Sequence, residues 1–215
     1  MRQKLDLSLY LVTNSELTNG RPLLEVVEEA VKGGVTVVQL REKSACSRTF
    51  YEEALAMKKL LTPLGIPLII NDRLDIALAV DAEGLHIGQD DIPFEVARRI
   101  LGKDKIIGLS VESVEDALVA NSLDVDYIGI SPVFVTDTKQ DTAPALGLEG
   151  AREINKISTK PSVGIGGINI NNVADIIKTG SKGVSVVSAI VSAPSPQEAA
   201  HDLKEIITKI KKNGK

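Results

Sequence analysis

Residues 35–43 read VTVVQLREK, and this stretch decides the fold class of the chain. Its first four residues, Val35–Val38, form a β-branched, largely apolar run of the kind that forms a buried strand. The sequence then changes abruptly to residues 39–43, three of which are charged. Buried strands whose carboxyl ends carry the functional site are typical of parallel α/β proteins. The stretch therefore predicts a parallel α/β protein with polar chemistry at the end of this strand.

Three polar residues alternate at this strand end: Gln39, Arg41 and Lys43. Alternate residues of a strand point to the same side, so an amide and two cations are expected to converge. Such a set suits a phosphorylated ligand. The alternative is a solvated loop that merely follows the strand.

The same alternation of strand and helix patterns continues along the whole chain. The predicted strands are residues 9–13, 36–41, 68–71, 85–88, 106–110, 127–131, 162–166 and 184–189. Helical patterns follow each of them and stop at glycine or proline, as helices commonly do. Eight strand–helix pairs in 215 residues predict a (β/α)8 TIM barrel occupying residues 1–215 as a single domain. An open, doubly wound sheet is the alternative, but in a chain of this length it usually has fewer strands.

Composition narrows the class of protein. A hydrophobic content of 43% suffices for a substantial core, and a net charge of −4 argues against nucleic acid as a partner. Charged residues interrupt every apolar run, so no membrane association is expected. The N-terminal residues lack the apolar segment of a signal peptide, and the single cysteine, Cys46, excludes an internal disulfide framework. These features predict a cytoplasmic location and leave association into a homo-oligomer open.

Carboxylates follow two neighbouring strands. Asp72 comes after the third predicted strand, and Asp90 and Asp91 come after the fourth. Mg2+ prefers few carboxylates together with waters and a substrate phosphate, so Asp72 and Asp91 are predicted to bind it. The alternative is that Asp90 or Asp91 caps the helix that starts near Pro93, because Asp is favoured at that position.

Further anion-binding features follow the last three strands. The polar segment after strand six contains Thr136, Asp137, Thr138 and Lys139, and long structured loops are often functional. The segment 164–167 reads GIGG after strand seven, and glycine lets a backbone approach a phosphate closely. Ser188 stands on the eighth strand, where barrel phosphate sites are frequently completed. The alternatives are a surface loop and a tight strand-to-helix turn.

Acid–base or nucleophilic catalysis by His or Cys has little support. The chain has two histidines: His86 lies within a strand, where a hydrogen-bonded core residue is expected, and His201 lies on the last helix. Cys46 has no neighbouring His or Cys in the sequence. Cations, a carboxylate pair and phosphate-binding loops instead suit a reaction in which a phosphorylated group departs.

Several motifs together resemble the thiamine phosphate synthase family, also called thiamine-phosphate pyrophosphorylase. In chain order these are QLREK at 39–43, ND at 71–72, HIGQxD at 86–91, GLS at 108–110, TxTK at 136–139, GIGGI at 164–168 and VS at 187–188. The resemblance covers about residues 9–207. It implies a TIM barrel that joins a pyrimidine diphosphate to a thiazole phosphate, with release of pyrophosphate.

The resemblance also implies roles for individual residues. Catalytic roles fall to Arg41, Lys43, Ser110 and Lys139, and Mg2+ binding falls to Asp72 and Asp91. Substrate binding falls to Gln39, Leu40, Arg41, Glu42, Lys43, Asn71, Ser110, Thr136, Asp137, Thr138, Lys139, Gly166, Gly167, Val187 and Ser188. Within this set, the pyrimidine diphosphate would be held by Gln39, Arg41, Lys43, Asn71, Ser110 and Lys139. The thiazole phosphate would be held by Thr136, Thr138, Gly167, Val187 and Ser188.

Two residues depart from the family pattern. Arg73 follows Asp72 where some relatives carry an acid, which could weaken the metal site or add a phosphate contact. Glu112 stands where many relatives have His, and a paralogous branch that acts as a thiazole tautomerase uses a His near this position. Glu112 disfavours the tautomerase, which stays the first alternative. A non-catalytic barrel that senses a phosphorylated ligand, or another sugar-phosphate enzyme, explains fewer of the motifs.

Overall fold

The computed structural model describes residues 5–136 and 144–213. Eight parallel strands form a closed barrel in the order β1 to β8, with β8 paired to β1. The strands are β1 Leu9–Val12, β2 Val37–Leu40, β3 Leu68–Asn71, β4 Gly84–Ile87, β5 Ile106–Val111, β6 Tyr127–Ile130, β7 Ser162–Ile165 and β8 Gly183–Val186. The predicted TIM-barrel fold is confirmed.

Helices connect the strands and surround the barrel. They are α1 Leu23–Lys32, α2 Ser47–Leu61, α3 Leu74–Ala79, α4 Phe94–Leu101, α5 Val114–Ser122, α6 Gly147–Ile157, α7 Val173–Lys178, α8 Ser188–Val191 and α9 Pro196–Asn213. Short 3-10 turns occupy Ser15–Leu17 and Thr62–Leu64. None of the helices in the described ranges combines the length and apolar character needed to cross a membrane.

One predicted strand boundary is wrong by more than one residue. The eighth strand was expected to run from 184 to 189, but it ends at Val186, and α8 begins at Ser188. The backbone turns at Val187, where φ is −119° and ψ is −90°, and the Ile190 N–H donates to the Val187 carbonyl at 3.1 Å. Ser188 therefore starts a helix at the rim of the barrel.

The alternation of each strand divides the apolar side chains into two layers. The larger layer lies between the strands and the helices and includes Leu9, Leu40 and Leu85. The smaller layer fills the barrel interior and consists of Leu7, Tyr10, Val12, Val37, Ile69, Ile106, Tyr127 and Val163. This inner layer forms the floor beneath the carboxyl ends of the strands.

Two glycines in the barrel wall make room for the rings in this interior. A Cβ at Gly108 would lie 2.1 Å from the Tyr127 ring, and a Cβ at Gly129 would lie 3.3 Å from the ring of His86. Any larger residue at 108 would displace Tyr127. The glycines of β5 and β6 thus position two polar rings just below the rim.

Candidate functional site

A cavity of about 380 Å3 opens at the carboxyl ends of the barrel strands. Predicted site residues line the cavity at or just after seven of the eight strands, β2 to β8. These are Gln39, Arg41, Lys43, Asn71, Asp72, Asp91, Ser110, Thr136, Gly166, Gly167, Val187 and Ser188. Residues far apart in the sequence therefore share one pocket.

The alternation predicted after β2 decides which of its residues reach this pocket. Gln39, Arg41 and Lys43 line the cavity. Leu40 is fully buried in the outer layer, and the Glu42 carboxylate accepts a hydrogen bond from the Ser15 hydroxyl at 3.0 Å. Burial raises the pKa of the Glu42 carboxyl above its usual value. Leu40 and Glu42 are not among the residues that line the cavity, and their predicted roles in substrate binding stay predictions.

The Asp72 carboxylate is held by two neighbours. The Lys43 ammonium donates to one of its oxygens, and the Asn71 amide donates to the other. Asp72 has a φ of +62°, which is uncommon for a residue other than glycine and is often found at functional sites. Its N–H donates to the His86 carbonyl at 2.9 Å and fixes this turn against β4.

The Asp91 carboxyl faces Asp72 across the gap between two strand ends. One of its oxygens accepts a hydrogen bond from the Gly88 N–H at 2.6 Å. Burial raises the pKa of the Asp91 carboxyl above its usual value, and the nearby Asp72 carboxylate raises it further. The residue that caps α4 is Pro93, so neither Asp90 nor Asp91 takes the capping role considered from the sequence.

A larger acidic metal cluster is absent from the part of the chain that the structure describes. No group of three or more His, Cys, Asp or Glu side chains in that part could hold a metal ion. Among the described residues, Asp72 and Asp91 are the acidic side chains that line the cavity.

The glycines after β7 lie against the start of the loop that follows β6, called the sixth loop below. The Phe134 N–H donates to the Gly166 carbonyl at 3.1 Å, and a Cβ at Gly167 would lie 2.6 Å from the Val135 carbonyl oxygen. Gly166 and Gly167 have φ values of +103° and +62°, which favour glycine. These glycines allow close contact between the two loops, and the predicted approach of their backbone to a phosphate stays a prediction.

Part of the predicted site lies outside the described residues. Asp137, Thr138 and Lys139 belong to residues 137–143, so their predicted roles in substrate binding stay predictions. Thr136 is the last described residue of this loop before that range, and it lines the cavity.

Sequence reasoning missed polar side chains in the barrel interior. Gln39 Nε2 donates to Tyr10 Oη at 2.8 Å, and Tyr10 Oη lies 2.7 Å from Tyr127 Oη. Tyr127 Oη lies 3.0 Å from His86 Nδ1, and His86 Nε2 lies 3.0 Å from Ser110 Oγ. Burial raises the pKa of both tyrosines well above the usual value, so both phenols are neutral. His86 is hydrogen-bonded, as predicted, but it also lines the cavity.

The signal that could have found these residues is the alternation within the strands. Tyr10, His86, Tyr127 and Ser185 occupy inward positions, whereas the prediction considered mainly residues that follow strands. Thr13 was also missed; its hydroxyl oxygen accepts from the Arg41 N–H at 3.1 Å and lines the cavity.

The two departures from the family pattern lie away from the cavity. Arg73 donates to Asp75 at 2.6 and 2.8 Å and to the Ser47 hydroxyl at 2.9 Å, so its guanidinium points towards the start of α2. The Glu112 N–H donates to the Asp116 carboxylate at 2.9 Å in front of α5. Neither residue lines the cavity, and the effect of Arg73 on the metal site or on a phosphate stays a prediction.

Comparison with known proteins agrees with this geometry. The sequence matches the family profile described as thiamine monophosphate synthase (TMP-TENI) over residues 9–190. It is 50% identical over 205 residues to the thiamine-phosphate synthase of Persephonella marina, covering 95% of this chain and 98% of that protein. It is 54% identical over 201 residues to that of Syntrophomonas wolfei, covering 94% and 96%.

A solved structure extends the match to three dimensions. Thiamine phosphate pyrophosphorylase from Pyrococcus furiosus superposes with a TM-score of 0.88 at 40% identity, covering 95% of this chain and 97% of that one. The resemblance predicted from the motifs is confirmed, and the chain belongs to the thiamine-phosphate synthase family, whose members are transferases of thiamine biosynthesis.

Proposed function

We propose that this chain joins 4-amino-5-hydroxymethyl-2-methylpyrimidine diphosphate to 4-methyl-5-(2-hydroxyethyl)thiazole phosphate, giving thiamine phosphate and pyrophosphate. The observation that carries the proposal is the convergence of Arg41, Lys43, Asp72, Asp91 and Ser110 on one cavity. Two cations and a carboxylate pair on one rim suit a departing diphosphate.

The cavity wall divides between the two substrates. The side that follows β2 to β5 would hold the pyrimidine diphosphate, through Gln39, Arg41, Lys43, Asn71 and Ser110. The side that follows β6 to β8 would hold the thiazole phosphate, through Thr136, Gly166, Gly167, Val187 and Ser188. Substrate binding by Asp137, Thr138 and Lys139 is proposed from the sequence alone. Both sides line one cavity, so the two substrates would meet within it.

The facing carboxylates of Asp72 and Asp91 fit a Mg2+ ion. Mg2+ takes few carboxylates and completes its shell with waters and phosphate oxygens. Burial and the nearby Asp72 carboxylate raise the pKa of the Asp91 carboxyl, and a bound cation would favour its charged form. When bound, the ion would neutralise charge on the diphosphate.

Lys43 would move between two partners in this scheme. Its ammonium contacts Asp72 in the structure, and 56% of its side chain is exposed. A diphosphate in the cavity offers the ammonium oxygens of higher charge, so Lys43 transfers from the carboxylate to the substrate. This transfer frees Asp72 for the metal.

The chemistry asks for electrostatic stabilisation rather than a protein nucleophile. Pyrophosphate leaves first, and the electron-rich aminopyrimidine stabilises the methylene cation that remains. The thiazole nitrogen then attacks this carbon. Arg41 and Lys43 stabilise the negative charge that grows on the departing pyrophosphate, and Ser110 helps to orient the substrate. Cytoplasmic location and a single domain over residues 1–215 are parts of the same proposal.

The deciding experiment measures pyrophosphate release from the pyrimidine diphosphate in the presence of Mg2+, with and without the thiazole phosphate. Release that needs both substrates and yields thiamine phosphate would support the proposal. Absence of release, with thiazole phosphate still bound, would contradict it and favour the tautomerase or a ligand-sensing barrel.

A further inference from the structure

Five side chains form a continuous chain of hydrogen bonds across the barrel interior. It runs from β2 through β1, β6 and β4 to β5, in the order Gln39, Tyr10, Tyr127, His86, Ser110. Its two ends, Gln39 and Ser110, both line the cavity on the side proposed for the pyrimidine diphosphate. The chain therefore connects two substrate-facing groups through residues that have no role in the mechanism above.

One direction of donation along this chain gives each buried tyrosine proton an acceptor. Gln39 Nε2 can only donate, so the Tyr10 oxygen accepts from it and the Tyr10 hydroxyl proton is left for Tyr127. The Tyr127 oxygen then accepts from Tyr10 and donates its own proton to His86 Nδ1. A neutral imidazole that accepts at Nδ1 carries its proton on Nε2, which faces the Ser110 oxygen.

This tautomer of His86 determines the orientation of the Ser110 hydroxyl. Its oxygen accepts from His86 Nε2, so its own proton is free to point into the cavity. Ser110 then meets a ligand as a hydrogen-bond donor. It would suit an acceptor such as a ring nitrogen of the aminopyrimidine or an oxygen of the diphosphate.

The packing keeps this arrangement rigid. Tyr10 and Tyr127 are 1% and 0% exposed, with their rings 5.7 Å apart, and the rings of His86 and Tyr127 are 5.6 Å apart. Gly108 and Gly129 leave room for the rings of Tyr127 and His86. Buried hydrogen bonds in such a packed interior hold one orientation, because an unpaired group there costs the full loss of its hydration.

We propose that His86 is a positioning residue: held as the Nε2-protonated tautomer by the Tyr10–Tyr127 pair, it orients the Ser110 hydroxyl to donate to the pyrimidine diphosphate. The proposal rests on the proposed function, which places that substrate beside Ser110. His86 itself acts through Ser110 and takes no part in bond making or breaking.

The first test observes the tautomer directly in the free protein. Long-range proton–nitrogen correlation spectra of the 15N-labelled chain should show two imidazoles, because the chain has two histidines. The exposed His201 is assigned from a His201→Gln variant. The proposal expects His86 to carry its proton on Nε2, and a proton on Nδ1 would overturn it.

A matched pair of tyrosine variants tests what holds the tautomer. Tyr127→Phe removes the donor to Nδ1, so the Nδ1-protonated form should appear. Tyr51→Phe removes a hydroxyl from an exposed tyrosine on α2 and should leave the spectrum of His86 unchanged. An unchanged His86 tautomer in Tyr127→Phe would overturn the role of the tyrosine pair.

A second matched pair tests the effect on the substrate. The amide of His86→Gln can reach the position of Nε2 and donate to Ser110, whereas the shorter His86→Asn reaches only the position of Nδ1. His86→Asn should lower kcat/KM for the pyrimidine diphosphate about tenfold and His86→Gln at most about threefold, because one oriented hydrogen bond differs between them. The KM for the thiazole phosphate should stay unchanged in both. Equal losses in both variants, or a loss expressed in the thiazole phosphate KM, would overturn the positioning role.

The two measurements separate this inference from the proposed function. A chain that makes no thiamine phosphate would refute the proposed function, and with it the positioning of the pyrimidine diphosphate, while the spectra still report the tautomer. A chain that makes thiamine phosphate but carries the Nδ1 proton would refute the inference alone.

Discussion

At the scale of single residues, the negative charge of the Asp91 carboxylate lowers the stability of the fold. Its carboxyl is buried beside Asp72, and its pKa is raised for both reasons. A raised pKa means that the folded state binds this proton more tightly than the unfolded chain. The free energy of unfolding that Asp91 contributes therefore falls as pH rises from the ordinary Asp range through the raised pKa.

Asp91→Asn should remove this fall while keeping an acceptor for the Gly88 N–H. We expect a higher Tm than the parent chain at about pH 8, a difference that shrinks towards about pH 4, and turnover reduced about 100-fold. Thermal unfolding across this pH range and the pyrophosphate assay measure both effects. The exposed Asp90→Asn is the matched control. A lower Tm in Asp91→Asn at the higher pH would show that the carboxylate stabilises the fold instead.

Lys139 carries a prediction that comes from the sequence alone. As a cation assigned to the pyrimidine diphosphate, it should stabilise charge on the departing pyrophosphate. Lys139→Ala should lower kcat about 100-fold with an unchanged Tm, and Gln140→Ala should leave both unchanged. Near-normal turnover in Lys139→Ala would remove this residue from the catalytic set.

At the scale of elements, the contact between the β7 turn and the sixth loop joins fold and site. Gly167 has a φ of +62°, and a Cβ there would lie 2.6 Å from the Val135 carbonyl oxygen. Gly147 has a similar φ of +67° but nothing within 4 Å of such a Cβ. A substitution at Gly147 would therefore cause backbone strain alone, whereas one at Gly167 would cause backbone strain and a clash with the sixth loop.

Alanine at each glycine should reveal the difference. Gly147→Ala should cost about 1 kcal/mol, since it adds left-handed strain alone, and Gly167→Ala should cost at least about 2 kcal/mol. Only Gly167→Ala should raise the KM for the thiazole phosphate, and it should do so more than the KM for the pyrimidine diphosphate. Equal stability losses would mean that the loop yields freely, and equal rises in both KM values would indicate a general folding effect.

Element boundaries also show why part of the structure was predictable. Each strand carries an apolar outward face and a period of two, so β3 was predicted at its observed bounds of 68–71. The error at β8 arose because Val187 and Ser188 repeat the valine and serine of the strand, although the backbone turns into α8. Composition does not record that turn, which depends on the packing of α8 against its neighbours.

At the scale of the whole molecule, the rim was predictable and the interior was not. Residues that follow strands, such as Arg41 and Asp72, could be assigned to one surface because all parallel strands of a barrel end at the same rim. The hydrogen bond between Tyr10 and Tyr127 joins residues 117 positions apart on β1 and β6, which are not neighbouring strands. It exists only because the barrel closes and points both side chains to one axis. Sequence alternation gives the direction of each side chain, but not which inward residues meet.

Binding at the rim should stabilise the whole barrel, because the site draws on seven of its strand ends. Mg2+ alone should raise Tm little, since Lys43 already contacts Asp72. Pyrophosphate gives Lys43 another partner and supplies oxygens to the metal, so the two ligands together should raise Tm by more than the sum of their separate effects. At about a hundredfold excess over Kd, stabilisation near 2.7 kcal/mol corresponds to a shift of about 5–10 °C. Differential scanning with Mg2+, with pyrophosphate and with both measures this coupling, and Asp91→Asn should abolish it while Asp90→Asn retains it. Additive shifts in the parent chain would mean that Asp72 and Asp91 do not share a metal with the diphosphate.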